Sequence, residues 1–251
     1  MIHDSSQRRQ LDAAVESLYA TFATYRLGDD FVGCDFCAST ERSEKLASIP
    51  LRKLTYDDLE LYSSKAITTW GNQRHFKHFL PRLLELTIAY RDEFLDLAVV
   101  FGKLECAHWD SWPTSEQNAV KDFFSAYWLF QLSIPISGTF EDAADTVLCA
   151  FSNACSTIDP FLSTWINTDS TEAHLHLAAF VLQNESSLMK KCELWNAFWN
   201  TTAKPHAEVL AWLQSQEVIQ YLKSTSPDVL VDDFAFAVPQ LFAIQARLAN
   251  Q

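Results

Sequence analysis

The sequence predicts an all-α protein of about ten helices in antiparallel pairs, and three observations carry that reading. Glycine is scarce, with five in 251 residues, where a typical chain holds roughly 7%. Apolar residues recur at alternating spacings of three and four, the period of one helix face. Proline and short polar capping residues fall where that period breaks. Hairpins and sheet crossovers consume glycine at their turns, whereas helices joined by short connections do not.

Taken in order, Leu11, Val15, Leu18, Phe22 and Tyr25 form one stripe, with Arg26 in the last turn and Gly28 as the stop. Thr55 and Asp58 make a capping box for a helix carrying Leu59, Tyr62, Ala66 and Trp70, closed by Gly71. Asn72 caps the next helix, which Pro81 either restarts or kinks. Pro113-Thr114-Ser115-Glu116 opens a helix that turns Val120, Phe123, Phe124, Tyr127 and Trp128 inward, with Pro135 beyond its end. Thr139 to Ile158 reads as a further helix, and Asp159-Pro160 starts a short one through Trp165. Asp169 or Ser170 caps a helix with Leu175, Ala178, Ala179 and Leu182. Pro205 suits the first turn of one running through Trp212, Leu213, Ile219 and Leu222. Phe234-Ala235-Phe236-Ala237 alternates like a strand, but Pro239 and the tail to Leu248 favour helix. Residues 1–6 and Gly28–Glu44 are expected to be the least ordered.

Prolines spaced by about 22–32 residues over part of the chain fit stacked helical hairpins, the HEAT-like superhelix. No motif aligns between the segments, and a compact helical bundle satisfies the same pattern. No linker rich in Gly, Pro or Ser divides the chain, so residues 1–251 are expected to form a single domain. With 48% hydrophobic and 13% aromatic residues the chain has ample material for a core, and one of this size buries roughly 70–75% of its unfolded surface.

The net charge of −13, from 32 acidic and 19 basic residues, repels phosphate backbones and anionic lipid. Nucleic acid and membrane are therefore not the expected partners, and a basic protein is. The polar, acidic start Met1-Ile2-His3-Asp4 leads into an amphipathic run and is not a secretory signal, and nowhere do 18 apolar residues follow one another. A cytoplasmic location is expected, with Cys34, Cys37, Cys106, Cys149, Cys155 and Cys192 as reduced thiols.

The motif with most chemical potential is Cys34-Asp35-Phe36-Cys37. Two thiolates at that spacing share a zinc ion or close a disulfide. Zinc needs two more ligands, and His75 with His78, three apart on one helix, are the candidates, with Cys106 and His108 as another pair. The competing reading is two ordinary thiols in a loop and two histidines in a packing interface. A redox role is disfavoured because that chemistry sits beside a βαβ sheet. Glu105-Cys106-Ala107-His108 has di-iron spacing, but no second E-x-x-H exists. The G-x-G-x-x-G, P-loop, H-E-x-x-H and G-x-S-x-G patterns are all absent. The pairs Asp29-Asp30, Asp57-Asp58 and Asp232-Asp233 lie near helix starts, where the helix dipole explains them. No catalytic residue is assigned. Trp109 with Trp112, Tyr127-Trp128 with Phe130, and Trp195 with Phe198-Trp199 are read mainly as core, with Trp195 and Trp199 four apart on one helix face. Some part of these clusters is left for a groove that binds a partner segment.

Gly33-Cys34-Asp35-Phe36-Cys37, Pro50-Leu51-Arg52-Lys53-Leu54, Thr69-Trp70-Gly71 and His78-Phe79-Leu80-Pro81-Arg82-Leu83-Leu84-Glu85-Leu86 resemble a family of bacterial all-helical proteins without an assigned activity. The likeness continues through Trp112 and Trp165 and implies a bacterial, cytoplasmic origin, but carries no site residues with it. The expectation is a non-catalytic, protein-binding helical protein, an acidic inhibitor of a basic partner as an immunity protein is to a toxin. The alternative is a zinc-binding protein or enzyme built round Cys34 and Cys37.

Overall fold

The structure, a computed structural model, describes residues 5–33, 39–89, 97–136, 144–225 and 232–250. Among them the secondary structure is helical, with twelve α-helices, three 3₁₀ segments and two isolated bridges, Gly33 to Trp70 and Ala66 to Trp70. The chain divides into two compact units, residues 3–126 and 127–251.

The first unit holds α1 (Ser6–Thr21), α2 (Thr40–Ser48), α3 (Tyr56–Lys65), α4 (Gln73–Ala89), α5 (Leu97–Cys106) and most of α6 (Thr114–Leu132). The stripe expected on α1 is the buried one, with Leu11, Val15, Leu18 and Phe22 inside, packed against α4. The helix stops at Thr21, earlier than the stripe implied, and Tyr25 leaves it to reach Glu116. Its core is aromatic: Tyr62 and Phe79 lie 4.5 Å apart, and the Phe31 ring stacks on Trp70 at 6.0 Å.

Thr55 and Asp58 form the expected capping box on α3. That helix ends at Lys65 rather than running to Trp70. The backbone of Ile67 turns left-handed (φ 67°), and the Ile67 N–H donates to the Trp70 carbonyl at 3.2 Å. The turn brings Trp70 back into the core, where its indole N–H donates to Ser43 Oγ at 3.0 Å. Asn72 caps α4 by accepting from the N–H groups of Arg74 and His75. Pro81 neither starts nor ends that helix, which runs through it.

The second unit begins within α6 and holds α7 (Ala144–Ser152), α8 (Asp159–Ile166), α9 (Thr171–Lys191), α10 (Lys204–Leu213), α11 (Gln216–Ser224) and α12 (Ala237–Leu248). The longest, α9, packs against α7, α11 and α12. Its buried stripe of Ala173, Leu177, Phe180 and Leu188 includes one amide, Asn184. Trp128, Phe151, Phe161, Trp165 and Phe180 fill the core, Trp128 meeting Trp165 edge-on at 5.2 Å. The indole N–H groups of Trp128 and Trp165 donate to the carbonyls of Phe161 and Ala173, so neither ring is buried at the cost of an orphaned donor.

Two further helices are shorter than their periodicity suggests. Of the segment Thr139–Ile158, residues 144–152 are helical, residues 153–158 leave the helix, and residues 139–143 lie outside the described set. The helix opened by Pro205 breaks at Gln214, and Ser215 caps a new one by accepting from the Val218 N–H. Gln245 of α12 donates to the freed carbonyl of Leu213 at 2.9 Å, which satisfies the break. Phe234–Phe236 is 3₁₀ helix leading into α12, not strand. No described helix is long and apolar enough to cross a membrane.

Candidate interaction surface

The four-residue spacing of Trp195 and Trp199 predicts one helix face after α9, and the structure corrects this. Cys192 adopts the left-handed conformation (φ 58°) and returns its N–H to the Leu188 carbonyl, which ends α9. Residues 193–203 form a loop of turns. Trp199 turns inward, 5% exposed, while Trp195 and Phe198 stand out at 50% and 40%.

Polar side chains hold the backbone of this loop, two of them buried (Asn184 and His206) and one half-buried (Asn153). The Leu194 N–H donates to Nε2 of His206 at 3.4 Å, and the Trp195 N–H to Oδ1 of Asn184 at 2.9 Å. The amide of Asn153 donates to the Phe198 carbonyl at 3.1 Å. Asn184 is itself fixed, because its Nδ2 donates to Asp145 Oδ1 at 3.1 Å and to the Phe180 carbonyl at 2.9 Å. Asp145, 1% exposed, lies in the first turn of α7. Burial pushes its carboxyl up to about 6, a rise that Asn184, Asn196, Trp199 and Trp195 oppose with their side-chain N–H groups. Burial also pulls the His206 imidazole down from its ordinary value, against a counter-effect from Glu193.

Charge is uneven along the chain. Residues 127–251 hold thirteen acidic and five basic side chains, so −8 of the net −13 falls in the second unit. Four of those five cations are engaged within the unit, Lys190 donating to Ser186 Oγ at 2.9 Å. Lys204 pairs with Glu208 at 2.9 Å, Lys223 lies over the Phe242 ring, and Arg247 donates to the Met189 carbonyl. One of the thirteen carboxylates, Glu217, lines an open groove of about 550 Å³ together with Ser163, Asn167 and Tyr221.

The residues singled out for metal chemistry are distributed otherwise. Cys34 and Cys37 lie outside the described residues. His75 is fully buried, its Nδ1 accepting from the Asn72 N–H at 3.2 Å and its Nε2 3.3 Å from Asp30. His78 places Nδ1 3.0 Å from the Tyr25 carbonyl. A metal at His75 would displace one of its two bonds, whereas His78 Nε2 has no such claim in the described contacts. Glu105, Cys106 and His108 are exposed at the end of α5 and beyond it. No group of three metal-ligating side chains occurs among the described residues.

Two buried polar clusters went unseen in the sequence. One is the Asp145–Asn184 pair, whose only legible trace is an amide in the apolar stripe of α9. The other lies in the first unit, where Lys77 and Glu116 form a buried ion pair at 2.6 Å. Tyr25 donates to the same carboxylate, and the Lys77 ammonium sits 4.3 Å from the Trp112 ring centroid. Every strong donor there has its acceptor, as a structural cluster requires. No family model, curated protein or solved structure matches the chain.

Proposed function

We propose that this protein binds another protein without catalysing a reaction, and that its partner is basic. The observation that carries this reading is the loop of residues 193–203. It presents Trp195 and Phe198 to solvent on a backbone held by Asn184, Asn153 and His206. Exposing an indole and a phenyl ring on one short loop gives up hydrophobic stabilisation, and such rings are the usual anchors of protein interfaces. Fixing the loop beforehand reduces the entropy that binding must overcome. The acidic excess of the same unit supports a partner of opposite charge and a fast, salt-sensitive encounter. An inhibitor that covers a basic enzyme's substrate surface fits these features better than a general scaffold, because a scaffold has no need of one strongly signed surface.

The test uses the tagged chain as bait for proteins of its own cell, at low and high salt, beside a Trp195→Ala/Phe198→Ala double variant. A basic protein is expected on the wild-type bait at low salt, reduced by added salt and lost from the variant. Retention of acidic proteins alone, or equal retention by the variant, contradicts the reading.

A further inference from the structure

Asp145 is a buried charge without a countercharge among the described residues. Its Oδ2 has no hydrogen-bond partner, and its carboxylate forms no ion pair among the described residues. The donors around it are all neutral, the amides of Asn184 and Asn196 and the indoles of Trp199 and Trp195. Trp199 Nε1 is buried nearby and also lacks a formed partner. A carboxylate held this deeply ordinarily pairs with a cation or gives up its charge. The start of α7 favours negative charge at this position, but one helix end does not replace a full countercharge.

The Trp195 indole acts on the Asp145 carboxyl while remaining half exposed. Phe198 stands exposed on the same loop. An anion with an unfilled acceptor beside a half-exposed indole has the components of a cation receptor, the carboxylate supplying charge and the ring its negative face.

We infer that Asp145 receives a cationic side chain, an arginine, from the basic partner, admitted when the Trp195 side chain swings aside. Arginine suits the place better than lysine. Its guanidinium sheds water more readily, stacks on indole and donates in a plane to a carboxylate. The inference rests on the binding reading above and names its point of contact.

The experiment follows the indole N–H resonances of Trp195 and Trp199 while acetyl-arginine amide is added, with acetyl-citrulline amide as the uncharged isostere. A saturable shift is expected with the arginine compound at about pH 7.5. At about pH 5, one unit below the point where Asp145 takes up its proton, only about a tenth of the carboxyl is ionised, so binding should weaken roughly tenfold. Citrulline should produce no saturable shift, and Asp145→Asn should abolish the response to arginine. The wild-type protein supplies an independent reading: saturating arginine compound should lower the pH at which the Asp145 carboxyl titrates. An equal response to citrulline, an undiminished response in Asp145→Asn, no saturable shift at all, or an unmoved Asp145 titration overturns the inference. A basic partner captured equally well by wild type and Asp145→Asn also overturns it, yet leaves the binding reading standing.

Discussion

At the scale of the residue, Asp145 makes a thermodynamic demand with a definite sign. Its folded-state carboxyl is raised to about 6, whereas in an unfolded chain an aspartate titrates near 4. Between these values the folded state binds the extra proton, so this group's contribution to stability falls as pH rises from about 4 through about 6 and is flat above. A shift of about two units corresponds to at most roughly 3 kcal/mol. Asp145→Asn removes the charge and keeps an oxygen for Asn184. The variant is expected to exceed wild type in unfolding free energy by about 1–3 kcal/mol at pH 7, with the difference closing near pH 4. Urea unfolding at a series of pH values measures it, and a variant less stable than wild type at pH 7 would show that the charge is compensated. The partners Asp145 and Asn184 are 39 residues apart, and their pairing depends on the packing of α7 on α9, which no local pattern encodes. Lys77 and Glu116 were hidden for the same reason. Local caps were legible because their partners are three residues away: Thr55 with Asp58, and Ser170 with Ala173.

At the scale of the element, helix existence was readable and helix ends were less so. The stripes of α1 and α6 follow the helical period and are buried within those helices, whereas on α9 Ala178 and Ala179 are buried but Leu175 and Leu182 are only half-buried, flanking the line through Ala173, Leu177, Phe180 and Leu188. The ends depend on single backbone conformations that periodicity does not report. Ile67 and Cys192 turn left-handed without being glycine, which stops α3 short of Trp70 and makes the Trp195 segment a loop. Gly71 is the converse case, a left-handed position (φ 70°) where the residue type does announce the stop. A Cβ there would lie 3.1 Å from Cβ and Nδ1 of His75, whose ring is fully buried. Gly71→Ala is expected to cost about 1–3 kcal/mol, from the left-handed backbone and from the displaced imidazole. Gly28→Ala should cost less, because the atom it meets is the end of an exposed Asp30 side chain that can move. Thermal midpoints of the two variants test the contrast, and equal midpoints would remove the account of Gly71.

At the scale of the whole molecule, fold class was legible because scarce glycine and helical spacing are properties of the entire chain. The division into two compact units was not, since it falls inside α6 where composition does not change. The acidic excess was visible as a total, but its concentration in residues 127–251 gains meaning only beside the exposed pair of aromatic rings in the same unit. The binding account therefore requires that a partner cover this particular surface. Hydrogen exchange of the chain, alone and saturated with the basic protein it captures, is the most direct measurement. Slowed exchange across residues 193–203, including the Leu194 and Trp195 amides, is the expected result. Unchanged exchange in that loop, with protection confined to residues 3–126, would contradict the account.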